Sequence, residues 1–189
     1  MIDAMKFFVL FGSTGDLAFK QLYPALFNIF RQHNGCQLFA IGRRYDNKNQ
    51  FIIGQVERSL KNYSGITGGY DCDHEIAFHS DSEYRHLDFF RQIEYINVDI
   101  RNAECAKDIY DSIKKKLVKN DNFDIIYYLA LPPSQHNNSL AVVSRCNELL
   151  GKDSSFGKQI VLEKPFGHDF DSAKKLNEDI QKEFKEKEI

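Results

Sequence analysis

KFFVLFGSTGDLAFKQLYP, residues Lys6–Pro24, holds a strand, a glycine turn and the start of a helix in one line. Phe7, Phe8, Val9, Leu10 and Phe11 form a continuous apolar run, the pattern of a strand buried on both faces. The run stops at Gly12, and a second glycine follows at Gly15. Leu17, Leu22, Leu26, Ile29 and Phe30 then recur at helical spacing. Such a junction binds anions, because free backbone N–H groups and the helix dipole point into the turn. Gly12 permits the tight turn, and Gly15 lets a phosphate approach the backbone with no Cβ in the way. The spacing Gly12-x-x-Gly15-x-x-Ala18 departs from G-x-G-x-x-G, with Thr14 and Leu17 where that fingerprint carries glycines. Taken alone, it also suits an ordinary strand-to-helix turn.

The 189 residues suffice for one well-cored domain, and no repeat, low-complexity tract or linker divides residues 1–189. At 42% hydrophobic and 28% charged with a net charge of -2, the composition is that of a globular chain without the basic excess of a nucleic-acid binder. No apolar run reaches the length of a bilayer span, and no signal-peptide pattern opens the sequence, so no membrane partner is expected. Cys36, Cys72, Cys105 and Cys146 are widely scattered, which suits a reducing cytoplasm better than a disulfide framework.

Four further strand-and-helix units follow. Gln37–Gly42 reads as strand two, after a helix in which Pro24 predicts a kink or restart. Arg43 and Arg44 stand where a fold preferring NAD carries an acidic residue, and two guanidiniums there suit a 2′-phosphate, so NADP is expected over NAD. As a pair in a loop they also read as solvated side chains. Asn49–Tyr63 has helical spacing. Ser64–Asp81 is irregular and reads as a surface loop, its Cys72, His74 and His79 lacking the spacing of a metal site. Glu83–Arg91 leads as a short helix into strand three, Glu94–Val98. Asp99 and Ile100 then either line an adenosine pocket or, in the case of Asp99, cap the next helix. Ala103–Lys119 is amphipathic, with Lys114, Lys115 and Lys116 on its solvated face. Strand four, Asp124–Leu131, is apolar throughout and runs into Pro132-Pro133, which end it and are placed either to touch a cofactor or merely to stop the strand. Gln135–Leu150 is helical. Strand five, Gln159–Leu162, leads to Lys164, a lysine fixed between a buried strand and a proline, where its ammonium is able to meet a phosphate or sugar hydroxyl. The helix Asp171–Lys187 closes the chain. This alternation argues for an α/β fold, a Rossmann-type doubly wound parallel sheet in the order 3-2-1-4-5 with helices on both faces.

Three stretches carry the reading further. GSTGDLAFKQLYPAL, YYLALPPS and VLEKPFG occur in an order and at spacings that closely resemble glucose-6-phosphate dehydrogenase, from Phe7 to the final helix. The resemblance implies oxidation of glucose 6-phosphate at C1 to the 6-phosphogluconolactone, with hydride passed to NADP. It implies that Gly12, Ser13, Thr14, Gly15, Asp16, Leu17 and Ala18 hold the cofactor phosphates. Arg43 is then assigned to the 2′-phosphate with Arg44 as helper, while Asp99, Ile100, Leu131, Pro132 and Pro133 line the cofactor cleft. Lys164 contacts both substrate and cofactor, and Pro165 is a candidate cis residue. Phe19 and Gln21 depart from the family, standing where many members carry lysines.

Members of that family continue past a segment R-I-D-H-Y-L-G-K into a β+α domain that carries the histidine base and most dimer contacts. None of His33, His74, His79, His86, His136 or His168 matches those histidines. Hydride transfer from an alcohol needs a base for the hydroxyl proton, so these residues alone are expected to be inactive. The resemblance implies a homo-oligomer for the full-length enzyme and a monomer for this stretch. Two rivals share part of the pattern. A short-chain reductase would want Tyr-x-x-x-Lys after strand four, where none occurs; a free-standing NADP-binding or regulatory module would share every cofactor residue.

Overall fold

A computed structural model of the chain describes residues 4–33, 35–63, 88–117, 122–151, 156–167 and 169–189. Strands β1 (Met5–Phe11), β2 (Cys36–Gly42), β3 (Ile93–Asn97), β4 (Phe123–Leu129) and β5 (Gly157–Leu162) form one parallel sheet in the order β3-β2-β1-β4-β5. The expected order is therefore the observed one. Phe11 pairs with Ile41 on one side and Leu129 on the other, and Leu129 with Leu162, so these strands finish level with one another.

Side chains alternate across the sheet and build two cores. Phe7, Val9, Phe11, Phe39, Ile125, Tyr127 and Ile160 face a layer formed by α4 (Ala106–Lys114), α5 (His136–Gly151) and α6 (Phe170–Glu183). Leu10, Leu38, Ala40, Ile93 and Tyr95 face the other layer. It comprises α1 (Tyr23–Gln32), α2 (Lys48–Phe51) and α3 (Arg58–Asn62). A π-helical turn, Ala18–Leu22, precedes α1, with Tyr23 N–H donating to Ala18 O. The expected restart is thus this widened turn, which brings Pro24, with no N–H to give, into the first turn of α1. A second π-helical stretch, Ile52–Glu57, joins α2 to α3.

Several sequence expectations shift. Strand four ends at Leu129 rather than at Leu131, because its neighbours run out at Phe11 and Leu162; Ala130 N–H still reaches Phe11 O at 3.1 Å. Nor is this strand buried on both faces. Phe123, Ile125, Tyr127 and Leu129 are buried while Asp124, Ile126 and Tyr128 are only partly so. Ile29 is on the wet side of α1 at 38% exposure. The helix expected over Ala103–Lys119 is a 3-10 turn, Ala103–Cys105, followed by α4; Asn102, not Asp99, caps it by accepting from Glu104 N–H. The last helix stops at Glu183, and Phe184 leaves it in an extended conformation to pack against Tyr127. The loop Ser64–Asp81 with Cys72, His74 and His79 lies outside the described residues, as do 83–87 of the expected short helix and 118–119 of the one before strand four.

Candidate cofactor site

The five strands deliver Gly12, Arg43, Asp99, Leu131 and Lys164 to one edge of the sheet, beyond their C-terminal ends. The strand order reverses between β1 and β4, and the glycine turn leaves β1 at that switch point. Gly12 has φ +78, and a Cβ there would lie 2.1 Å from Ala130 O. Both constraints demand glycine. Gly15 carries a structural task as well. Its N–H donates to Gly12 O at 2.9 Å, closing the turn. The N–H groups of Asp16, Leu17 and Ala18 at the start of the helical run have no backbone acceptor among the described residues.

Ser13 faces inward. Its hydroxyl is fully buried and donates to Ile41 O at 2.8 Å, while Tyr23 OH donates to Ser13 O. The turn is thereby stitched to β2. Gly42 is what lets it lie so close, since a Cβ there would meet Thr14 Cγ2 at 2.9 Å and Ser13 Oγ at 3.0 Å. From the other side, Gln55 Nε2 reaches Gly15 O at 3.4 Å and Ser59 donates to Phe19 O. Buried Gln55 and Ser59 escaped the sequence reading; their only signal is polarity within an otherwise apolar helical face.

Arg43 and Arg44 follow Gly42 directly and are exposed. Arg43 Nη1 donates to Asp99 Oδ2 at 3.2 Å. The same carboxylate accepts from Arg101 Nε at 2.9 Å and Arg101 Nη2 at 2.5 Å, and Arg101 N–H reaches Asp99 Oδ1 at 3.1 Å. Hydrogen bonds from Arg101, then the charges of Arg101 and Arg43, hold Asp99 well below the ordinary carboxylate range. Asp99 is therefore a counter-ion between two arginines. Asp16, exposed on the glycine turn, pairs with Lys20 at 2.9 Å and also feels the charge of Arg44.

Ile100 and Leu131 are partly buried against the core, and Pro132 is exposed in an extended conformation. His136, the first residue of α5, is buried, and its Nε2 donates to Leu131 O at 3.1 Å, as a neutral ring allows. Burial lowers its pKa, partly opposed by that hydrogen bond. Tyr128 OH donates to the Glu163 carboxylate, tying β4 to the residue before Lys164. The Lys164–Pro165 peptide bond is cis. Lys164 itself is exposed and meets no hydrogen-bonding or ionic partner among the described residues. The strand before it is not the buried one the sequence suggested: β5 is an edge of the sheet and only Ile160 in it is fully buried, so Lys164 is held less tightly than expected. A glycine turn with unpaired N–H groups beside clustered guanidiniums fits an extended anion such as a dinucleotide.

The chain matches the family model described as "Glucose-6-phosphate dehydrogenase, NAD binding domain" over residues 9–189. It is 30% identical over 186 residues to a glucose-6-phosphate 1-dehydrogenase of Saccharomyces cerevisiae and 30% identical over 189 residues to one of Caenorhabditis elegans. These alignments cover 95% and 96% of this chain but 33% and 32% of those proteins. The chain thus spans about a third of the length of the curated relatives it matches. A crystal structure of glucose-6-phosphate 1-dehydrogenase from Mycobacterium avium shares the fold with a TM-score of 0.68 at 20% identity, covering 99% of this chain and 36% of that one. With a family model matched along nearly its whole length, the chain belongs to the glucose-6-phosphate dehydrogenase family, through its NAD binding domain.

Proposed function

We propose that residues 1–189 form one NADP-binding domain, and that this domain serves the oxidation of glucose 6-phosphate at C1 in a glucose-6-phosphate dehydrogenase. The observation that carries the cofactor reading is the seating of Arg43 beside the glycine turn, at the end of the strand to which that turn is stitched. NADP supplies the hydride acceptor. The backbone N–H groups of Asp16, Leu17 and Ala18 meet its bridging phosphates, with Gly12, Gly15, Ser13 and Thr14 shaping the turn, and Arg43 with Arg44 meets the 2′-phosphate. Asp99, Ile100, Leu131, Pro132 and Pro133 border the cleft, and Lys164, exposed at the end of β5, reaches toward cofactor and sugar phosphate. A substrate of this class is supported by a solved relative described as a glucose-6-phosphate dehydrogenase in complex with its substrate glucose-6-phosphate, 24% identical with a TM-score of 0.67. The proposed setting is the cytoplasm; among the described residues no helix is long and apolar enough to cross a membrane.

Calorimetric titration with NADP and NAD tests the reading. NADP is expected to bind the more tightly, and Arg43→Ala to remove about tenfold of that preference. Equal affinity for the two nucleotides, or none for either, overturns it. Hydride transfer from an alcohol needs a base for the hydroxyl proton, and none of the six histidines matches the family's, so the 189 residues alone are expected to turn glucose 6-phosphate over many orders of magnitude below a complete dehydrogenase.

A further inference from the structure

We infer that Arg101, a residue to which neither the motifs nor the family resemblance gives a role, is a specificity-determining ligand of the cofactor's 2′-phosphate, completing a clamp with Arg43. The inference rests on the NADP reading above. Arg43 leaves the end of β2 and Arg101 the turn after β3, yet both guanidiniums lie on one carboxylate, Asp99 Oδ2, at 3.2 Å and 2.5 Å. Two forks converging on a single oxygen leave further N–H groups of each pointing elsewhere, because a guanidinium carries five donors. Both side chains stand more than half exposed, at 57% and 69%. They are held in place without being hidden.

Charge supports the same conclusion. Arg43, Arg44 and Arg101 bring three positive charges to this corner and Asp99 one negative, while Lys20 and Asp16 neutralise each other. The excess of two matches a phosphomonoester, which carries about -1.5 to -2 at neutral pH. NAD, with a ribose hydroxyl in that position, offers nothing for the excess to meet. Asp99 fixes the two forks before the cofactor arrives, so less side-chain freedom is lost on binding than two free arginines would lose.

The minimal probes are adenosine 2′,5′-bisphosphate and 5′-AMP, which differ only in the 2′-phosphate, followed by NADP and NAD. For Arg101→Ala in the 189-residue chain, affinity for the bisphosphate and NADP should fall about tenfold, with 5′-AMP and NAD within about twofold of the parent. Arg101→Lys, which keeps the charge and loses the fork, should fall in between. An unchanged melting temperature identifies a folded variant. If Arg101→Ala weakens all four ligands equally, Arg101 only positions its loop, and the inference fails. It fails equally if the parent prefers NADP and the variant keeps that preference undiminished. A parent without NADP preference overturns the cofactor reading itself, which separates the two failures.

Discussion

A single methyl group at residue 12 would collide with the carbonyl of Ala130 and force a left-handed backbone on an alanine. Gly12→Ala is therefore expected to cost about 3 kcal/mol, read as a lowered urea midpoint, and to weaken nucleotide binding by displacing the turn. An unchanged midpoint would mean the turn has room that its geometry denies. His136 is the other residue whose environment makes a measurable claim. Buried and neutral, it holds a proton less readily in the folded chain than in the unfolded one, where its pKa is near 6.5. Its contribution to stability is thus fully present above about pH 6.5 and declines as pH falls through that value, because the unfolded chain takes up the proton first. Urea midpoints measured between pH 7.5 and 5.5 should fall more steeply for the parent than for His136→Gln; parallel slopes would rule the histidine out as the cause. Of these two residues the glycine was legible in the sequence, since a strand that stops at glycine before a helix needs that backbone freedom. The histidine was not, because its partner is a carbonyl that becomes reachable only when the chain turns at the prolines. Arg101 was hidden for a similar reason, its meeting with Arg43 depending on β2 and β3 lying side by side.

At the scale of elements, period and turn chemistry located every strand to within two residues, and packing decided the rest. Strand four read as continuously apolar, but hydrophobicity alone does not say whether a layer covers each face. α1, α2 and α3 pack over Leu10, Leu38 and Tyr95, leaving Ile126 and Tyr128 half-buried. The two π-helical stretches were equally illegible, being fitted to neighbours rather than encoded by period. Across the well-covered face, Tyr127 OH donates to Asn147 Oδ1 at 2.9 Å, both side chains being buried between β4 and α5, and Asn147 Nδ2 already lacks a partner among the described residues. Tyr127→Phe should accordingly cost about 1–3 kcal/mol, since it leaves the asparagine oxygen unsatisfied as well. Adding Asn147→Leu should recover most of that loss in denaturant titrations. A double variant as weak as the single one would show that the hydrogen bond is not what Tyr127 contributes.

At the scale of the molecule, one sheet separates two cores and belongs to both. That arrangement followed from the alternation of strands and helices together with right-handed crossovers, which is why the strand order was readable before any contact was known. We predict that the two layers unfold together, because removing either exposes a face of the same five strands. The cysteines report on both sides. Cys36 lies in the core with Phe30 and Leu38, whereas Cys105 and Cys146 lie in the opposite core under α4 and α5. All three are free and buried. Burial raises each thiol, Cys105 to about 11, so little thiolate forms near neutral pH. In the native chain at pH 8 these three should resist alkylation that proceeds readily in denaturant. Mapping the modified peptides by mass spectrometry across a urea series should then find Cys36 and the Cys105/Cys146 pair losing protection at the same urea concentration. If Cys36 reacts at distinctly lower urea than the other two, the α1–α3 layer opens by itself, and the single cooperative unit is wrong. Coincident loss would mean that the glycine turn and the arginine cluster at the end of the sheet are held by both cores at once.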